Sequence, residues 1–385
     1  MFRKYSVDSI SVLATARRVR HLFLFAWVVL PGLVWAQRTI DFQYSSYGLE
    51  NDTLNVIENL SHLDDFYESL RALSDSGNRM VGIVHIGDSH IQGDYLTQPI
   101  RRNFQEQFGN AGRGLIVPGK VAGTNESYNI ISSSDAQWQS KRCVFPDQPM
   151  AIGIGGITVS SSQPDVSLDI YMNDLWQDYT FNTATLFFQN DGMSYAFHFR
   201  DTAQRNLAVI DPLEYDRNFA SVKFTERLGA LSLSVKRSAP QQHHATIFGL
   251  SLDNGQPGVL YHSIGVNGAK YRHYAAAMFF AEQTAALRPA LFVISLGTNE
   301  SLDYPYEDQN FDDHIDRLVS NLGRYNKDAQ FILVTPPPAF RNRTRLNPGI
   351  ETVRKQIIAY AVENGLAFWD MYKVMGAEGA AARWW

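Results

Sequence analysis

Cysteine is nearly absent. Cys143 is the only one in 385 residues, which excludes an internal disulfide framework and any multi-cysteine metal site and leaves this thiol as a packing residue. No run of Lys or Arg forms a stripe that could follow a phosphate backbone. With 34 Lys and Arg against 39 Asp and Glu the net charge is −5, so the footprint of a nucleic-acid binder is missing. No stretch stays apolar for the roughly 18 to 20 residues a spanning helix needs, which argues against a permanent membrane span. Internal repeats and low-complexity tracts are also lacking. What remains, 45% hydrophobic and 19% charged, is the composition of a globular protein long enough for one large domain and a smaller second one.

The N-terminus carries a targeting pattern. Arg17, Arg18 and Arg20 precede an apolar stretch from Leu22 to Leu30, followed by Pro31-Gly32 and the small-residue exit Val34-Trp35-Ala36. This predicts a signal peptide over 1–36, cleavage after Ala36, and an exported product that is periplasmic, surface-bound or extracellular. The lone cysteine suits that compartment.

Beyond a polar tether, Ser61 is the expected N-cap of a helix with Leu63, Phe66, Leu70 and Leu73 on one face. Val81, Ile83, Val84 and Ile86 then form an apolar strand ending in Gly87-Asp88-Ser89, and helical periodicity resumes from Tyr95 to Phe108. The C-terminal third repeats this unit. Strands at Val259 to Ile264, Leu291 to Leu296, Phe331 to Val334 and Leu366 to Trp369 alternate with helices over about 271 to 287, 309 to 325 and 349 to 363. Alternation of this kind predicts a three-layer α/β/α fold around a parallel sheet. The segment between follows a period of two instead, as in Val166, Leu168, Ile170, Met172 and Leu231, Leu233, Val235. The expected organisation is 37–114 as the first part of the α/β domain, 115–255 as an inserted β-rich domain, and 256–385 as the second part.

Ligands of an open parallel sheet gather at the carboxyl ends of its strands. Three endings there supply complementary parts of an acyl-transfer site. Ser89, at a strand-to-helix turn, offers a hydroxyl nucleophile and its own backbone N–H toward a developing oxyanion. Gly268, in Gly265-Val266-Asn267-Gly268, lets a backbone N–H approach without a Cβ in the way. Asn299, in Gly297-Thr298-Asn299-Glu300, brings a neutral side-chain donor that is no competing base. Asp88 reads as a turn-former or buried acceptor, and Asp94 as a residue ordering the helix start.

Val84-His85-Ile86-Gly87-Asp88-Ser89-His90-Ile91-Gln92 resembles the first block of SGNH/GDSL hydrolases, and the Gly268 and Asn299 segments resemble the second and third. The resemblance covers about 79 to 110 and 258 to 375, reaching Trp369-Asp370-Met371-Tyr372. Its wording is nearest the extracytoplasmic bacterial branch of peptidoglycan or polysaccharide O-acetylesterases. It implies a flavodoxin-like fold, a metal-independent mechanism with no cofactor, an O-acylated glycan or other small ester as substrate, and an inserted β domain that helps hold a glycan. The family's fourth element, an Asp-x-x-His pair supplying the general base, is not found. None of the ten histidines has an aspartate three positions before it, and the chain stops at Trp385 where the family pattern would still be running. His90 is expected to point along the helix, and His262 and His273 are no better placed to substitute.

The expectation is therefore a truncated or inactive esterase with weak or absent turnover and an oxyanion pocket still able to bind. A non-catalytic carbohydrate-binding or scaffold protein is the alternative. A lipase would want an apolar groove or lid, which the sequence does not display. Trp384-Trp385 reads as a core element, or as aromatics that stack on sugar rings. Arg341, Arg343 and Arg345 read as a solvated loop, or as a contact for an acidic glycan.

Overall fold

The computed structural model describes residues 54–145, 150–174, 177–303, 310–341 and 345–377. The targeting segment, Arg343 and Trp384-Trp385 lie outside the described residues.

Five apolar runs form a parallel sheet: β1 (Met80–Gly87), β2 (Gly258–Gly265), β3 (Pro289–Ser295), β4 (Gln330–Val334) and β5 (Ala367–Trp369). Their spatial order is β2-β1-β3-β4-β5, the flavodoxin-like order, and the short strand Ile57–Glu58 runs antiparallel along the β5 edge. A parallel strand is covered on both faces, so it is written as a continuous apolar run rather than an alternation. In β1 every residue from Val81 to Gly87 is buried. Alternate residues nevertheless enter different cores. Val81, Ile83, Val259, Leu291 and Ile332 pack with Phe66, Leu70 and Leu73, whereas Val84, Ile86, Ile264, Ile294 and Leu333 pack with Phe311, Ile315, Leu318, Val353 and Ile357. The helices that carry these partners are α1 (Asp64–Ser76), α3 (Phe311–Tyr325) and α4 (Gly349–Glu363), and α2 (Thr97–Phe108) adds Ile100 and Phe104 to the α1 side. Helices on both sheet faces make the three layers.

Helix α1 shows how the amphipathic stripe acts. Phe66, Leu70 and Leu73 are at most 6% exposed, and each contributes about 1.5–3 kcal/mol on burial. The backbone N–H of Gly77 bonds Leu73 O and ends the helix. Ser61 is not its N-cap: it lies in the 3₁₀ turn Leu60–Leu63, and α1 begins after Leu63 without a side-chain cap. Two other expectations change. The helix after β1 starts at Thr97, with Tyr95 81% exposed before it. The expected helix over 271 to 287 is broken into Tyr271–Ala275, Phe280–Thr284 and a 3₁₀ turn, Ala285–Leu287. The break occurs where Phe279 donates its backbone N–H to Ile152 O in the β-rich segment.

Between α2 and β2 the chain builds two antiparallel sheets. One runs Asn206–Ile210, Ala196–Arg200, Ala230–Lys236, Ser167–Met172, Ile130–Ser134; the other runs Phe219–Leu228, Phe181–Phe188, Ala245–Asp253, Ile157–Ser161, Gln139–Arg142, with Gly114–Ile116 added on Ala245–Asp253. The period of two is expressed directly. Leu233 pairs with Leu168 and Leu231 with Ile170, all four buried. Phe188 of one sheet meets Phe197 of the other at 5.4 Å, and Phe224 meets Phe199 at 6.0 Å, so the sheets share an aromatic core.

Candidate active site

Strand β1 delivers the first part of the site. Its last carbonyl, Gly87 O, accepts from Tyr274 Oη at 2.7 Å. A Cβ on Gly87 would stand 2.3 Å from Ile91 Cγ1 and 2.8 Å from Ser295 O, so only glycine allows the chain to turn so tightly here. Asp88 follows, 1% exposed, and caps the short helix Ser89–Gln92 by accepting from His90 N at 3.0 Å. Ser89 is the first residue of that helix and is exposed on the rim. Among the described residues none hydrogen-bonds its hydroxyl.

His90 does not simply point along the helix. Its Nδ1 lies 2.7 Å from Asp88 Oδ1, and this hydrogen bond holds the imidazole pKa above its ordinary value against the opposing effect of burial. The ring borders a small crevice lined by Thr298, Thr335 and Pro336 at the ends of β3 and β4.

The other two strand ends close on the same place. Beyond β2 the turn Val266–Ala269 is fastened by Ala269 N to Val266 O at 2.9 Å, with Gly268 at φ +84, a conformation glycine adopts without strain. The nearest atom to a Cβ on Gly268 would be Val144 Cγ1 at 4.0 Å, so the residue faces open space. Asn299, just after β3, sends its Nδ2 to Ala269 O at 3.0 Å and to Asp88 Oδ2 at 3.3 Å. One carboxamide thus joins the residue preceding Ser89 to the residue following Gly268. All three expected site residues are brought to one rim of the sheet.

Gln92 and Glu300 support the site without having been given a role from the sequence, and Asp94 has a larger role than the sequence suggested. Gln92 accepts from Asn267 N at 2.6 Å and donates to Thr124 Oγ1 at 2.8 Å, tying the Gly268 turn to the β-rich segment. Glu300 is 3% exposed; its Oε1 accepts from Tyr271 N at 2.7 Å, and burial raises its pKa to about 7. Asp94 does more than order a helix start: at φ +63 it accepts from Arg101 at 2.7 and 2.8 Å and from Arg113 at 3.0 Å, all buried. Burial opposes its charge, but the two guanidiniums outweigh that and hold its carboxyl below the usual carboxylate range. The identity of such residues is visible in the sequence, but their partners come from segments far along the chain.

His85 and His262 are structural. His85 bridges Tyr261 Oη and Ser295 Oγ at 2.7 Å each, and burial lowers its pKa to about 3. His262 accepts from Leu115 N at 3.0 Å and is likewise lowered by burial to about 3. Cys143 is a packing residue, its thiol pushed up to about 12 by burial. Asp370 caps the helix Met371–Val374 and holds Arg354 at 2.6 and 2.8 Å. Among the described residues no three His, Cys, Asp or Glu side chains are grouped to hold a metal ion, and no helix is long and apolar enough to cross a membrane.

A flavodoxin-like sheet thus carries a strand-end serine, a glycine turn and an asparagine at one rim. Residues 234–385 match the model of the GDSL-like Lipase/Acylhydrolase family, a stretch that includes Gly268 and Asn299 but starts after Ser89. The chain is similar to a solved peptidoglycan O-acetylesterase at a TM-score of 0.68 and 17% identity, covering 83% of this chain and 86% of that one. At such identity what is shared is the fold. A family two carbohydrate esterase from Cellvibrio japonicus (TM-score 0.23, 11% identity, 66% of this chain and 95% of that one) and a putative acylhydrolase from Bacteroides fragilis (TM-score 0.26, 27% identity, 30% and 57%) superpose too loosely to add to this. No curated protein matches the sequence.

Proposed function

We propose that this chain is an exported serine esterase that acts on O-acyl groups of a glycan, with Ser89 as nucleophile and with Ser89 N–H, Gly268 N–H and Asn299 Nδ2 as the oxyanion donors. The observation that supports the reading is the Asn299 carboxamide spanning Asp88 and Ala269, the residues that flank Ser89 and Gly268. Ser89 Oγ would attack the acyl carbonyl carbon, and the charge would move to the carbonyl oxygen. Collapse would break the ester C–O bond, give the sugar oxygen a proton and leave an acyl-serine for water to hydrolyse. The longer of the two Asn299 contacts, at 3.3 Å, is the hydrogen most easily redirected to that oxygen.

The structural likeness to a peptidoglycan O-acetylesterase supports acetyl as the acyl group and a cell-envelope or other polysaccharide as its carrier. Residues 115–255 are read as a module inserted into the hydrolase. Because no described residue hydrogen-bonds the Ser89 hydroxyl, the nucleophile lacks an activating base in this arrangement, and turnover is expected to be weak or absent. The same observation favours a second reading, a carbohydrate-binding protein that keeps the fold without the chemistry.

Hydrolysis of p-nitrophenyl acetate, and acetate release from acetylated xylan and O-acetylated peptidoglycan, test both. The esterase reading expects slow hydrolysis that disappears in Ser89→Ala. Turnover indifferent to Ser89→Ala would remove the serine from the mechanism, and a rate ordinary for an esterase would overturn the statement about activation.

A further inference from the structure

Gln92 is the last residue of the short helix Ser89–Gln92 and is 9% exposed. The end of β2 is pressed against it: a Cβ on Gly265 would stand 2.1 Å from Gln92 N and 2.6 Å from Gln92 Cα, so only a hydrogen fits there. The Gln92 carboxamide makes three hydrogen bonds. Its Oε1 accepts from Asn267 N at 2.6 Å, and its Nε2 donates to Thr124 Oγ1 at 2.8 Å and to Asn125 O at 3.0 Å. A backbone N–H can only donate and a backbone carbonyl can only accept, so this carboxamide has one orientation and cannot be turned over. Thr124 and Asn125 are themselves held. Thr124 N donates to Gly119 O at 2.9 Å, and the neighbouring Glu126 carboxylate accepts from Lys120 N at 3.3 Å and from Ser132 N at 2.9 Å in the strand Ile130–Ser134.

Peptide units are planar, so the hydrogen bonds of the turn 266–269 show which of its units can rotate. Val266 N donates to Gly87 O at 3.3 Å and joins the turn to the last residue of β1. The unit between Val266 and Asn267 is held at both of its polar atoms, the carbonyl by Ala269 N at 2.9 Å and the N–H by Gln92 Oε1. The unit between Gly268 and Ala269 is held through that same Ala269 N–H. Between these two lies the unit joining Asn267 to Gly268, and among the described residues none accepts from Gly268 N. The one free amide of the turn is thus the one assigned to the oxyanion, and the held units on either side set its direction. Asn267 is exposed, so without the Gln92 carboxamide its N–H would be left to water and the first of the two constraints would be lost.

We infer that Gln92 is a positioning residue: anchored on the loop 119–126 of the β-rich segment, its carboxamide fixes the direction in which Gly268 N–H meets the developing oxyanion. The β-rich segment thereby bears on the chemistry at the rim of the parallel sheet through a single side chain. The inference rests on the esterase reading, which assigns Gly268 N–H to the oxyanion.

Hydrolysis of p-nitrophenyl acetate and amide hydrogen exchange, both on the whole protein, test it. Gln92→Leu keeps the bulk of the side chain and removes all three hydrogen bonds. It should lower kcat about tenfold, less than outright loss of a donor because Gly268 N–H remains, and leave KM within about twofold. Thr124→Val removes one anchor and should lower kcat about threefold. Exchange at the Asn267 amide, followed by nuclear magnetic resonance, should quicken about tenfold in Gln92→Leu. Circular dichroism verifies that the variants are folded, and if Gln92→Leu is not, Thr124→Val decides. With hydrolysis dependent on Ser89, an undiminished kcat in the folded variants, a loss confined to KM, or unchanged exchange at Asn267 in folded Gln92→Leu overturns the inference. If Ser89→Ala hydrolyses the ester as the parent does, the esterase reading itself falls, and the inference falls with it.

Discussion

Asn299 combines a structural and a chemical task in one side chain. Its carboxamide holds the Asp88 and Ala269 segments together, and the reading above also directs it at the substrate oxygen. Replacing it with alanine is expected to lower ester hydrolysis about 10²- to 10³-fold, the usual loss for one oxyanion donor, with a smaller loss of stability because Asp88 still has both contacts with His90. Steady-state kinetics on p-nitrophenyl acetate check this, and undiminished hydrolysis in Asn299→Ala would exclude it as a donor. Its neighbour Glu300 makes a pH prediction. Burial raises its pKa from the ordinary value near 4.5 to about 7, so the native state binds the proton more tightly than the unfolded chain. This contribution to stability is complete below about pH 4.5 and disappears as the pH climbs through 7, a fall of about 3 kcal/mol. Glu300→Gln should flatten that part of the stability profile in urea titrations at pH 4.5, 6 and 7.5, and a profile unchanged by the substitution would refute it. Ser89, Gly268 and Asn299 were legible in the sequence because each sits where an apolar run stops, and a parallel sheet sends all its stopping points to one rim. Glu300 was not, because its burial depends on the Tyr271 segment.

Among the elements, the stretch joining β1 to α2 depends on a charge cluster. Asp94 of this stretch receives Arg101 from α2, Arg113 from the start of the β-rich segment and Ser263 from β2 at 3.1 Å. Arg101 and Arg113 are 0% and 2% exposed. Asp94→Asn therefore leaves two buried guanidiniums without their counter-charge, which is expected to cost about 3–5 kcal/mol. Guanidinium denaturation should show the midpoint moving down with the slope retained; a change below about 1 kcal/mol would mean that water or another group compensates the arginines. From the sequence, Asp94 is one acid ahead of a helix, and nothing local distinguishes it from a capping residue. The broken helix after Lys270 has a similar origin. Its composition is helical, but the chain bends where Phe279 bonds Ile152 and its ring packs on Phe248 at 5.5 Å, a tertiary demand that periodicity does not encode. Strands β1 to β5 were read with small errors at their ends because continuous apolar runs need no distant partner to be recognised.

At the scale of the molecule, the β-rich segment is continuous with the rest. Residues Gly48–Trp385 form one compact unit, and a single hydrophobic cluster includes Val84 and Ile294 of the parallel sheet as well as Phe187, Phe197 and Leu233 of the antiparallel ones. The link is also polar: Gln283 accepts from Ile154 N and donates to Asn218 O, each at 2.8 Å. The strand Ala245–Asp253 leads through a short turn directly into β2, while Gly114–Ile116, just past α2, pairs with that strand. Separating the two parts would expose apolar area in both and leave Gln283 and the Asp94 cluster without partners. Cooperative unfolding in one step is the consequence, since neither part retains its core when the other opens. Far-ultraviolet circular dichroism, which follows helix and strand content, and near-ultraviolet signals from the aromatic core shared by Phe188, Phe197, Phe199 and Phe224 should trace coincident denaturation curves. Two resolved transitions, with the aromatic signal surviving after the helices have melted, would show instead that the antiparallel sheets are stable alone and that the shared core adds little to them.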